Sequence, residues 1–171
     1  TPYRPFDEKR FIARLPAPPY AFIHRVTRIA PKPWVLAPDG WVEAECDLDP
    51  GAWYCRSNGA AFLPICILME IALQACGFLA AYMGSALKSD KDLHFRNLDG
   101  EAVLHGDVRP EDGAVQSRAR LLSASTAGDM LIEHYAFEVR QEGRPLYSGK
   151  TSFGFFTAEA LAHQAGLPAS D

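Results

Sequence analysis

The sequence lacks any excess of basic residues. Its 171 residues carry 17 Lys plus Arg against 21 Asp plus Glu, a formal charge of −4. Wrapping nucleic acid needs a basic footprint, so no nucleic-acid partner is expected. A local basic patch for a small acidic partner stays open. Cysteine is scarce. Cys46, Cys55, Cys66 and Cys76 form no C-x-x-C pair and have no His cluster beside them. No metal site is expected, and no cofactor. Cys66 and Cys76 lie in an apolar run, where a reduced thiol behaves as a small hydrophobe. That points to a reducing, cytoplasmic setting. No internal repeat is present. The opening TPYRPFDEKRF is polar and Pro-containing, unlike a secretory signal. The chain has no initiating Met and is expected to be cut from a larger polypeptide.

Hydrophobic residues make up 48% and charged residues 22%, ordinary for a packed domain. Residues 1–171 are therefore read as a single domain. DEKRFIAR (7–14) reads as a short helix, and LPAPPY (15–20) as extended or turning chain. AFIHRVTRI (21–29) is β-branched and aromatic, and WVEAECDL (41–48) alternates with period 2, so both read as strands. Residues 49–62, with Pro50, Gly51 and Gly59, read as irregular. Strand-like segments over 93–108, 114–124, 130–140 and 144–156 are separated by turns at 110–113, 126–128 and 142–143. TAEALAHQ (157–164) reads as a closing helix. Strands, one long helix, then a run of strands imply an α+β fold. An antiparallel sheet wrapped around one central helix would use every element.

That helix is PICILMEIALQACGFLAAYM (64–83). Pro64 suits its first position and Gly84 its end. The run is long enough to span a bilayer, but Glu70 would sit near mid-membrane, so no membrane span is expected. Inside it only Glu70 and Gln74 are strongly polar. Four residues apart, they share one face, with Cys66 one turn earlier. A carboxylate there must be hydrogen-bonded, partnered or neutralised, which is also how a carboxylic acid becomes a proton donor. Pairing at a subunit interface is the structural alternative. The first amides, near Ile65 and Cys66, are free within the helix and can polarise a carbonyl oxygen. A capping loop is the ordinary alternative.

At these residues the chain resembles the hotdog-fold dehydratases of β-hydroxyacyl thioesters, of the β-hydroxydecanoyl dehydratase type. Trp53, Tyr54 and Cys55 resemble the family's Trp-aromatic-aromatic segment. Leu63 and Pro64 resemble its Met-Pro pair, and Cys66 has a family counterpart. Glu70 falls where the catalytic Asp belongs. Gln74 to Phe78 fits the Gln one turn later and the glycine after it. The dehydratase domains of polyunsaturated fatty acid synthases and polyketide synthases are more similar still. LPAPPYAFIHRVTRI, LMEIALQACGFLAAYMGSAL, HFRNLDG and TSFGFFTAEALAHQAGL carry that likeness across nearly the whole chain.

The resemblance implies an antiparallel hotdog, excised from a multidomain synthase, acting on substrates carried by acyl carrier protein. It implies Glu70, with Gln74, as catalytic, and Ile65, Cys66, Trp53 and Tyr54 as substrate-binding. One departure stands out. The family's catalytic His belongs between Trp53 and Leu63, where this chain reads CRSNGAAF. Asn58 is the nearest polar candidate. His24, His94, His105, His134 and His163 are each read as surface or hydrogen-bonded residues. Because the family builds its site across two hotdogs, a His-less copy can lend its acid to a partner that has His. A homodimer or a tandem pair is expected. Arg56, Lys88, Lys91 and Arg96 are candidate landing residues for the acidic carrier protein. Two other readings stay open: an acyl thioesterase using Glu70, Gln74 and Asn58, and a non-catalytic scaffold.

Overall fold

The computed structural model describes residues 1–59 and 61–162. The elements run α1 (Arg4–Glu8), β1 (Arg25–Ile29), β2 (Trp41–Cys46), α2 (Trp53–Asn58), α3 (Ile65–Met83), β3 (His94–Leu104), β4 (Val115–Ala127), β5 (Met130–Gln141), β6 (Arg144–Phe156) and α4 (Ala158–Ala162). Short 3-10 turns cover Ser85–Lys88 and Pro110–Asp112. The six strands form one sheet in the order β1-β2-β4-β5-β6-β3. Every pairing is antiparallel. This is the expected α+β hotdog.

The sheet follows from residue alternation. On β4, Val115, Ser117, Ala119 and Leu121 face inward while their neighbours face solvent. β2 and β5 alternate in the same way. The inward faces bury α3, which packs on β4, β2 and β5. Although α3 is long and apolar enough to cross a membrane, here it is the core helix. Gly84 ends it in the left-handed region, and its amide bonds the carbonyls of Ala80 and Ala81. A residue with a Cβ is disfavoured in that conformation.

Several boundaries differ from expectation. The first helix is Arg4–Glu8, not 7–14. Pro5 opens it and an Arg4–Glu8 pair spans its one turn. Chain beyond it is extended instead, and Ile12 bridges Leu93. Of the 21–29 strand only Arg25–Ile29 joins the sheet, with a shift of register between Val26 and Arg28. The 49–62 stretch is not all irregular, because Trp53–Asn58 is helical and buries Tyr54 and Cys55. Pro64 caps α3 from outside, with ψ of 137°, and is not its first helical residue. The closing helix is Ala158–Ala162, and residues 163 and 164 lie outside the described residues. Finally, α3 is not buried on all sides. Ile67, Leu68, Ile71, Ala72, Ala75, Cys76, Leu79, Ala80 and Met83 face the sheet, whereas Ile65, Cys66, Met69 and Ala81 are exposed.

Candidate active site

Glu70 and Gln74 stand one turn apart on α3, beside the segment that follows the proline run. The buried amide of Gln74 is 3% exposed. Its Oε1 accepts the Phe22 amide at 2.8 Å. Its Nε2 donates to the Tyr20 carbonyl at 2.9 Å and to Glu70 Oε1 at 3.0 Å. Gln74 thus binds the segment after the proline run to the helix and orients the carboxylate. Glu70 is only half-buried and borders a cavity of about 650 Å³. The cavity follows α3 past Leu73, Gly77 and Ala81, with Phe95, Asn97, Phe153 and Phe155 on the sheet side. Tyr3, Ile12, Arg14 and Leu15 close it from the N-terminal segment.

Trp53 and Tyr54 reach the same neighbourhood through aromatic packing. Trp53 stacks on Tyr20 with centroids 6.4 Å apart, and Tyr54 meets Phe22 edge-on at 5.8 Å. Neither lines the cavity. Burial pushes the Tyr54 hydroxyl up to about 12, helped by nearby Cys46, Cys55 and Asp49, so it stays protonated. Cys66 is exposed one turn before Glu70, outside the cavity lining. At the helix start, Ile67 and Leu68 donate to the Pro64 carbonyl. The amides of Ile65 and Cys66 meet no acceptor among the described residues. Asn58 closes α2, and its side chain lies outside the described residues.

The four described histidines make no bond to Glu70. His24 Nδ1 accepts the Asp47 amide at 2.8 Å. His94 packs on Phe11. His105 and His134 pair with Ser148 and Ser152. His163 lies outside the described residues. Among the described residues no group of three potential ligands could hold a metal ion.

Sequence reading missed Tyr20 and Asn97. Partial burial, then the neighbouring Glu70 and Cys66, raise the Tyr20 phenol above its ordinary value. At neutral pH it is therefore a neutral hydrogen-bond donor beside the carboxylate. The three prolines before it were the available signal, since they force an extended approach to α3. Asn97 sits at a β-bulge of β3, where pairing with β6 shifts between Asn97 and Asp99. Bulges re-aim side chains in this way.

No known protein-family model matches the chain. It is 36% identical over 133 residues to a polyunsaturated fatty acid synthase subunit of a Thraustochytrium species. The match covers 75% of this chain and 9% of that protein. The dehydratase heterocomplex ApeI:P of Xenorhabdus doucetiae has a similar structure. Its TM-score is 0.63 at 14% identity, covering 86% of this chain and 93% of that one. A thioesterase of Haemophilus influenzae matches at a TM-score of 0.50 and 15% identity, over 73% of this chain and 77% of that one. These structural likenesses establish the hotdog fold.

Proposed function

We propose that this hotdog chain, a sequence relative of a polyunsaturated fatty acid synthase, is a dehydratase half-site for β-hydroxyacyl thioesters carried by acyl carrier protein. The observation that carries the reading is Glu70, oriented by Gln74 at the edge of an apolar cavity with no histidine bonded to it among the described residues. A carboxylic acid so placed suits protonation of a departing hydroxyl. The base must come from elsewhere, and a second hotdog is its source. The fold's occurrence in a dehydratase heterocomplex is in keeping with unlike partners.

In this reading the partner's His removes the proton α to the thioester carbonyl. The electron pair forms the Cα–Cβ double bond as the Cβ–O bond breaks. Glu70 protonates the leaving oxygen, which departs as water. The amides of Ile65 and Cys66 hold the thioester oxygen as charge develops on it. The neutral Tyr20 phenol donates to the substrate near Glu70. Arg56, Lys88 and Arg96 are exposed and bear no ion pair among the described residues, so they suit the acidic carrier protein better than Lys91, which pairs with Asp129.

The test is dehydration of a β-hydroxyacyl-pantetheine by the chain mixed with, or fused to, a His-bearing hotdog. Glu70→Ala should lower the rate by roughly 10²- to 10⁴-fold, the range of general acid catalysis, while Glu70→Asp keeps a measurable part. Equal rates in all three proteins remove Glu70 from the mechanism. Accumulation of free acid instead establishes a thioesterase, and an untouched thioester a scaffold.

A further inference from the structure

We propose that the N-terminal segment, residues 3–15, is a specificity element that sets the length of linear acyl chain this protein accepts, with Tyr3 as the end stop. The inference rests on the acyl-thioester reading above and extends it to the chain-length range. Glu70, Leu73, Gly77 and Ala81 recur every three or four residues, so they line one face of α3. From Glu70 to Ala81 the helix rises about 16 Å, eleven residues at about 1.5 Å each. An extended alkyl chain advances about 1.3 Å per carbon, from C–C bonds near 1.5 Å at tetrahedral angles. The cavity therefore accommodates roughly twelve carbons beyond the level of the acid.

Its walls match that occupant. Gly77 and Ala81 leave space against the helix, and Phe95, Phe153 and Phe155 present apolar surface across from them. Leu15 Cδ2 lies 3.3 Å from where a Gly77 Cβ would stand, so the N-terminal segment fixes the width there. At the far end the Tyr3 hydroxyl donates to the Ala81 carbonyl, which draws the ring across the groove. The two charged residues on this wall, Asp7 and Arg14, pair with each other. Arg10 ties the segment down through Asp92 and the Lys91 carbonyl. The segment is thus anchored at Tyr3 and again at Arg10.

The test uses saturated acyl-pantetheine thioesters of graded length, which have no β-hydroxyl and cannot be dehydrated. Affinity for the purified chain should rise about fourfold per added methylene, as burial of a CH₂ group predicts. The rise should stop about twelve carbons beyond the β-carbon, which stands level with the acid, that is about fourteen beyond the thioester carbon. Tyr3→Ala should move that break to longer chains and Ala81→Leu to shorter ones. Tyr3→Phe should move it less than Tyr3→Ala, because the ring remains although the bond that holds it across the groove is lost. Circular dichroism checks that each variant is folded. If Tyr3→Ala is unfolded, the Ala81→Leu shift decides. Affinity independent of length, or a break unmoved by the folded variants, overturns the proposal. Binding without length dependence leaves the dehydratase reading standing. A length break with no turnover beside a His-bearing partner sinks that reading alone.

Discussion

Gln74 ties a loop to the core helix and holds a carboxylate with the same side chain. Its three hydrogen bonds go to two backbone groups and one carboxylate. Gln74→Ala leaves the buried Phe22 amide without its acceptor. Such an orphan costs about 1–3 kcal/mol, so urea midpoints should fall accordingly. Gln74→Glu should be no better, since it sets a second carboxylate against Glu70 and the Tyr20 carbonyl. The pair itself was legible, because a spacing of four in an apolar run forces it onto one face. Glu133 was overlooked. It is fully buried on β5, accepting from Ser85 Oγ at 2.5 Å and Tyr135 Oη at 2.7 Å. Burial raises its carboxyl above the usual value, although both hydrogen bonds pull it down. The folded protein therefore holds a proton there that the unfolded chain releases near pH 4.3. Stability from this group is full below that pH and falls as pH rises through the higher folded value. Glu133→Gln mimics the protonated form, so its stability advantage over wild type should widen as pH climbs above about 4.3. Urea titrations at several pH values measure the gap, and a constant gap would count against a buried neutral carboxyl. The signal was present: Glu133 alternates in step with Leu131, Tyr135, Phe137 and Val139. Its partner Ser85, 48 residues away, carried none.

At the scale of elements, α3 has two unlike faces with similar composition. Leu79 is fully buried against the sheet, whereas Met69 is 43% exposed. Leu79→Ala should cost about 2–5 kcal/mol, the range for a core cavity. Met69→Ala should fall within about 0.5 kcal/mol in the isolated chain. Comparable losses in a denaturant titration would mean that the open face is covered. Sequence could not separate these faces, because Ile65, Cys66, Met69, Leu73 and Ala81 are as apolar as the residues that meet the sheet. Strands were more legible. Period-2 alternation and the turns at 126–128 and 142–143 put β4, β5 and β6 close to their observed spans. The helix α2 was hidden because six residues with glycine on either side carry little helical signal of their own. Tertiary burial of Tyr54 and Cys55 holds it.

At the scale of the whole molecule, β3 is the decisive element. It pairs with β6 on one side only and forms one edge of the sheet. Leu98, Val103 and Leu104 are exposed along it, Val103 by 58%. A long edge with apolar side chains invites pairing with another strand. The exposed residues of α3 add apolar surface that the described residues leave uncovered. A partner that extends the sheet at β3 would complete the half-site proposed above. We therefore expect the purified chain to sediment as a dimer. The double substitution Leu98→Lys and Val103→Lys should give a folded monomer, since neither side chain is buried. The same substitutions should abolish rescue of dehydration by a His-bearing hotdog while leaving Glu70 and its bond to Gln74 untouched. Rescue that survives in a proven monomer would place the partner at another surface. Fast dehydration by the unmixed wild-type chain would instead assign the base to one of its own histidines.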